Sequence, residues 1–237
     1  MRINLKLFYL LLALLFTAAT ASAIPGRAEV KKVVGKATVT NAKNATSSIT
    51  EGMVLGTGDT ITTGAGSYVD LFLGLNGDFL RVDADSTLKI DNLDIGNVSQ
   101  RTVTTQLDVQ KGQIVGNVVA KLTAASKYEI KTASGVAGIR GTKYMVKRDA
   151  SRNVTRIVCT EGTVTFVDRG VTITIGANQA YTPPATAPSQ AAVGAPTQAE
   201  VTIVTTTANS LGSGGGSTDT TTGTVVSNPT DTSTSVK

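Results

Sequence analysis

Between Ile24 and Thr182 the chain is written in short runs that alternate apolar and polar residues, each closed by Gly, Asn or Asp. Val69, Leu71 and Leu73 alternate across Tyr68–Leu73, and Leu80 and Val82 follow a Gly77-Asp78 turn. Leu88 and Ile90, Leu107 and Val109, Tyr128 and Ile130, Val164 and Phe166, and then Val171, Ile173 and Ile175 repeat the pattern. Successive side chains of a strand point to opposite faces, so apolar residues at every second position mark strands with one buried face. Helical periodicity is weak over the same stretch. The runs recur about every ten residues, the spacing of a sandwich, a barrel or a coiled stack of strands. The expected fold class is all-β, a β-solenoid-like or sandwich-like stack of short strands.

The ends of the chain differ from this body. Residues 1–23 open with the basic Met1-Arg2-Ile3-Asn4-Leu5-Lys6, continue with an apolar run from Leu7 to Phe16 and end in Ala21-Ser22-Ala23. That order is the one expected of a secretory signal peptide, and the run falls short of the roughly 20 residues a membrane span needs. The mature chain is expected to begin at Ile24; an uncleaved N-terminal anchor is the alternative. No Cys follows the cleavage site to carry a lipid, and no second apolar segment of spanning length occurs. Beyond Tyr181 the composition shifts to Pro, Ala, Thr, Ser and Gly, with no aromatic residue. Residues 183–237 are read as a disordered tail, because such a segment buries too little apolar surface to offset its chain entropy. Val201-Thr202-Ile203-Val204 is its one strand-like piece. Residues 24–182 remain as a single domain.

Charge is segregated along that domain. From Asp59 to Asp108 it sums to −5, and from Lys121 to Arg156 to +7. A basic face attracts acidic partners or an anionic envelope polymer, while scattered Lys and Arg at strand spacing need no ligand at all. Nucleic acid is not expected of an exported chain so poor in aromatic residues. Cys159, the only cysteine, sits in the strand-like Arg156–Thr160 run and is read as a small buried hydrophobe; no intramolecular disulfide is available to it.

Reaction chemistry has little to stand on. The chain has no histidine, which removes Ser-His-Asp and Cys-His nucleophile systems and ordinary zinc sites. Ser86-Thr87-Leu88-Lys89 fits an S-x-x-K pattern, but on a strand positions three apart face opposite sides. Asp83, Asp85, Asp91 and Asp94 hint at calcium, yet Leu88 stands where an EF-hand loop needs Gly, so a solvated acidic loop is the plainer reading. No cofactor and no enzymatic activity are expected.

Two further patterns concern glycine. Val34-Gly35-Lys36, Lys111-Gly112-Gln113 and Glu161-Gly162-Thr163 each place a glycine beside a polar residue between two strand-like pieces, either as a recurring tight turn or as three ordinary hairpins. Gly135, Gly138 and Gly141 surround a single Arg140, and such glycine density marks backbone that turns sharply or approaches another chain closely. Arg140 is expected to be tucked against the sheet and paired with Glu161; an exposed Arg140 reaching a partner's carboxylate is the alternative.

Taken together, two motifs resemble a known family. Glu51-Gly52-Met53-Val54-Leu55 followed by Gly58-Asp59-Thr60-Ile61-Thr62-Thr63-Gly64-Ala65-Gly66-Ser67 is similar to the first half of a FecR domain. Val136-Ala137-Gly138-Ile139-Arg140-Gly141-Thr142-Lys143-Tyr144 with Glu161-Gly162-Thr163-Val164 resembles its second half. The resemblance covers roughly residues 34–166 and picks out Gly58, Asp59, Thr63, Gly64, Gly138, Arg140, Gly141, Thr142, Glu161 and Gly162 as structural motif residues. It implies an extracytoplasmic domain. Founding members of the family regulate iron transport, joining a cytoplasmic anti-sigma segment and one membrane span to a periplasmic domain that meets a transporter. This chain is expected to carry a signal peptide in place of the cytoplasmic segment. The expected function is therefore a non-catalytic binding or scaffolding module of the bacterial envelope, periplasmic or secreted. The alternative is a periplasmic sensor or regulator of FecR type. The expected partner is an envelope protein or surface polymer.

Overall fold

The computed structural model describes residues 24–77, 79–97, 99, 102–118 and 122–211; the signal-peptide reading of residues 1–23 lies outside them. The described residues form β1 (Ile24–Pro25), β2 (Ala28–Val34), β3 (Ala37–Thr40), β4 (Thr46–Ser48), β5 (Val54–Leu55), β6 (Thr60–Thr63), β7 (Tyr68–Phe72) and β8 (Phe79–Val82). Then come β9 (Thr87–Asn97), β10 (Thr102–Asn117), β11 (Lys127–Thr132), β12 (Gly135–Asp149), β13 (Val154–Asp168), β14 (Val171–Ile175), β15 (Gln179–Tyr181) and β16 (Val193–Gly194). Among the described residues one α-helix, α1 (Gln198–Leu211), follows β16. The expected all-β class is what the strands build.

All sixteen strands belong to one hydrogen-bonded sheet. The sheet doubles back on itself because its longest strands bend in the middle. The first half of β10 pairs with β9 and, in parallel, with β11; its second half pairs with β8 and β12. β13 likewise pairs with β15 before its bend and with β14 after it. The two halves of the sheet meet face to face: the Tyr128 and Tyr144 hydroxyls bond at 3.0 Å, and the Phe166 and Tyr181 rings lie 5.9 Å apart. Between them lies the core, in which every alternating apolar residue named above is buried except the exposed Val171.

Gly112 shows how a strand makes the bend. Its φ of +84° is a region that side chains disfavour, and a Cβ there would stand 2.1 Å from Ser86 Oγ. The Ser86 hydroxyl accepts from Gln113 N at 2.8 Å and donates to Ala84 O at 3.0 Å. Gly35 repeats the device: Ser67 Oγ accepts from Lys36 N at 2.9 Å and donates to Ala65 O at 3.2 Å. At both places the middle residue of Ala-x-Ser, Gly66 or Asp85, has positive φ. The third echo, Gly162, packs against Gly141-Thr142 with the Thr142 methyl where the serine hydroxyls stand. The glycine echo is thus a corner at which the chain passes from one half of the sheet to the other.

The tail reading is corrected over its first part. Residues 193–211 are part of the fold, with β16 on β15 and α1 on the outer face of β8, β10, β12 and β13. Val204 joins Val115, Met145, Val158 and Ala180 in a second, outer apolar cluster. Val201–Val204 is helix, not strand, because Thr197 and Glu200 form a capping box: Glu200 N donates to Thr197 Oγ1 at 3.2 Å and Thr197 N to Glu200 Oε2 at 2.8 Å. Val204, Ala208 and Leu211 then fall on one buried helical face. Residues 212–237 lie outside the described residues.

Candidate functional site

The motif residues occupy corners and turns. Asp59 Oδ2 accepts from Gly56 N at 2.8 Å, which closes the turn carrying Gly58, and the Gly58 and Asp59 backbones bond to Ile90. At the other end of β6, Thr63 Oγ1 donates to Asp83 O and accepts from Ser86 N at 3.0 Å, while Gly64 N donates to Lys36 O at 2.9 Å. Thr63 and Gly64 therefore stitch the two Ala-x-Ser corners together. Gly138 is regular strand, paired with Glu129 and Thr165. Arg140, Gly141, Thr142, Glu161 and Gly162 come together at the β12–β13 corner.

The proposed Arg140–Glu161 pair is not formed. Arg140 is exposed, and its Nη2 donates to Thr123 O at 3.0 Å. Glu161 instead binds Lys143 Nζ at 2.8 Å. The cause is a bulge: Arg140 lies opposite Thr163, the register then slips, and Lys143 lies opposite Glu161. Cys159 is fully buried as expected, and burial pushes its thiol up to about 11.

Among the described residues no group of His, Cys, Asp or Glu side chains could hold a metal ion. The suspected acidic loop is dispersed by its partners. Asp91 bonds Lys89 at 3.1 Å and Lys131 at 2.9 Å; burial works against its charge, yet the two lysines hold it below its ordinary value. The Asp91–Lys131 pair also joins the acidic stretch of the sequence to the basic one.

What the sequence reading missed is an outward strip on β2, β7 and β8. Cross-strand neighbours bring Asp70 opposite Arg81 and Phe72 opposite Phe79. Arg81 grips Asp70 through Nε at 2.6 Å and Nη2 at 2.8 Å, and its guanidinium carbon lies 4.0 Å from the Tyr68 ring centre. Burial opposes the Arg81 charge, but Asp70 outweighs it and raises the pKa. Lys32 lies 5.9 Å from the Tyr68 ring centre, Lys31 5.5 Å from that of Phe72, and the two Phe rings sit 4.9 Å apart. Tyr68, Phe72, Phe79 and Arg81 all keep part of their surface open. The alternation in Tyr68-Val69-Asp70-Leu71-Phe72 carried the signal: its polar-phase residues are two aromatics and an acid.

Next to this strip a groove of about 620 Å³ runs along the corners, lined by Tyr68, Asp83, Lys111, Gln113, Lys147 and Arg148 among others. Asp83 accepts from Gln113 Nε2 at 2.7 Å, and burial pushes its carboxyl up against the pull of that amide and of Arg81. The arrangement is rigid, charged and aromatic, and suits the recognition of another molecule's surface: Arg and Tyr, held in place beforehand, dominate binding energetics where they occur.

Fold and surface thus define an all-β domain with a charged and aromatic outward strip. Residues 59–165 match the model of the family described as FecR protein. The match begins at Asp59, downstream of the Glu51–Leu55 motif. Among solved structures, two crystal structures of a candidate anti-sigma factor from Parabacteroides distasonis ATCC 8503, at 1.65 and 2.50 Å resolution, are similar. Each has 11% identity and a TM-score of 0.47, and the similarity covers 61% of this chain and 62% of that one. No curated protein sequence matches significantly. No helix among the described residues is long and apolar enough to cross a membrane.

Proposed function

We propose that this chain is an exported FecR-type regulator that docks on another protein of the bacterial envelope through the Tyr68–Arg81 strip. The observation that carries the reading is Arg81, locked by Asp70 over the partly open Tyr68 ring, within the segment that matches the FecR family model. The same match favours a regulator over a passive scaffold, because the family's founding members pass an envelope signal. The chain itself works without catalysis in this reading: it recognises, and its partner transmits.

Two measurements test this. A photo-crosslinking residue at Phe79, introduced in the native host, should trap a transporter or membrane regulator, and Arg81→Ala or Tyr68→Ala should weaken the contact about 30-fold, as loss of a binding hot spot does. Deleting the gene should change transcription of a discrete set of envelope genes, restored by the wild-type chain and not by Arg81→Ala. Unchanged transcription, or crosslinking indifferent to Arg81 and Tyr68, would overturn the proposal.

A further inference from the structure

Among the described residues, β14 forms an edge of the sheet, with β13 as its one hydrogen-bonded strand neighbour. The two strands are joined by the two-residue turn Arg169-Gly170, both at positive φ, so the flanking pair Asp168–Val171 is hydrogen-bonded and the bonding residues alternate from there. Thr172 and Thr174 therefore turn their N–H and C=O away from β13. At Thr174 those groups are met by a side chain. Thr174 N donates to Gln190 Oε1 at 2.8 Å, and Gln190 Nε2 donates to Thr174 O at 2.7 Å. A primary amide has the donor and acceptor of a peptide group, and Gln190 reproduces both bonds that a neighbouring strand would make.

The composition of the strand beneath this cap suits pairing with another strand. Val171-Thr172-Ile173-Thr174-Ile175 carries no charge and alternates Thr with β-branched apolar residues. The outward surface beside it, Thr163, Thr165 and Val167 of β13, is exposed and uncharged as well. Native edges are commonly guarded by a charge, a proline or a bulge, and β14 has none of these along its length. A two-fold axis through Ile173 would set Thr172 opposite Thr174 of a second copy and Thr174 opposite its Thr172. Both outward rungs would then close reciprocally, with four main-chain bonds, as an isologous interface requires.

We infer that Gln190 is a placeholder on a strand-addition edge, and that the occupant it excludes is β14 of a second copy of this chain. The short helical turn Gln190–Ala192 carries the guard, with Ser189 Oγ accepting from Ala191 N at 3.2 Å, so movement of this turn would uncover the edge. The surface is separate from the Tyr68–Arg81 strip, and its test does not depend on that strip.

Gln190 is exposed, so Gln190→Ala removes the guard without touching the core. Sedimentation velocity on the full chain should show Gln190→Ala self-associating at least about tenfold more tightly than wild type. In the monomer, the Thr174 amide of the variant should exchange with solvent faster. The double variant Gln190→Ala/Thr174→Pro should return to wild-type behaviour, because proline on an edge strand removes an outward N–H and spares the inner ladder. A Gln190→Ala chain that self-associates no more than wild type, including one that captures another protein's strand instead, would overturn the inference. So would association that survives Thr174→Pro.

Discussion

Arg156 clasps Glu200 with two bonds, Nε to Oε1 at 2.9 Å and Nη2 to Oε2 at 3.0 Å, and so fastens α1 to β13. The Arg156 bond, opposed by partial burial and helped by Thr197, holds the Glu200 carboxyl at about 2 in place of its ordinary 4.5. A carboxylate whose folded value is depressed contributes stability above its unfolded value and loses it as the pH falls toward the folded one. The docking contribution of this pair is therefore whole above about pH 4.5 and disappears toward pH 2. Since both side chains keep some solvent contact, the pair contributes on the order of 1 kcal/mol. Amide protection factors across α1 should be lower in Glu200→Gln than in wild type at pH 7, with the difference shrinking between pH 4.5 and 2. Equal protection at neutral pH would show that the apolar cluster alone holds the helix.

The corner at Gly112 makes a separable prediction. Gly170 has nearly the same φ, +83°, but has open space where a Cβ would go, whereas a Cβ at Gly112 meets Ser86. Gly170→Ala should cost only the left-handed backbone penalty, about 1 kcal/mol. Gly112→Ala should cost about 3 kcal/mol or more, because it adds displacement of a buried hydroxyl that binds Gln113 N. Urea unfolding of both variants checks this, and similar losses would refute the packing role of the corner.

These corners also mark how far the sequence could be read. Alternation located the strands and most of the core, since one buried face leaves a period of two. It broke down at Ile114-Val115, Met145-Val146 and Ile157-Val158-Cys159, where consecutive residues are buried. There α1 covers the second face of the sheet, and a continuous apolar run is what two-sided burial produces. The helix itself was hidden by Thr-rich composition, although Thr197-Gln198-Ala199-Glu200 after Pro196 is a legible capping box. The Tyr68–Arg81 strip is a matter of cross-strand register, which spacing along one strand does not specify. The Arg140–Glu161 pairing failed because a bulge shifts register without announcing itself in residue pattern.

Thr142 occupies the third corner, and its buried Oγ1 has no partner among the described residues. An unbonded buried hydroxyl costs desolvation with no return, so Thr142→Val should leave stability unchanged or raise it by up to about 1 kcal/mol. At the equivalent corner, Ser86→Ala strips Gln113 N of its acceptor and should lower stability by about 1–3 kcal/mol. Thermal melts would show opposite signs for two substitutions that each delete one hydroxyl. A loss of several degrees in Thr142→Val would mean the hydroxyl has a partner after all.

Arg140, framed by glycines, has a surface part in this fold. Its guanidinium reaches the Thr123 carbonyl from an exposed position, and Glu161 is already taken by Lys143. Truncation leaves no buried charge unpaired and opens no cavity, so Arg140→Ala should shift stability by no more than about 0.5 kcal/mol. Lys143→Ala should do slightly more, because Lys143 also reaches Asn209 Oδ1 at 3.3 Å and so touches α1. Gly141 and Gly162 serve the bend: Gly141 O stands 2.1 Å from where a Gly162 Cβ would be, so Gly162→Ala should destabilise far more than removal of Arg140. Melting temperatures of the three variants give the order directly: Gly162→Ala lowest, Lys143→Ala next, and Arg140→Ala closest to wild type.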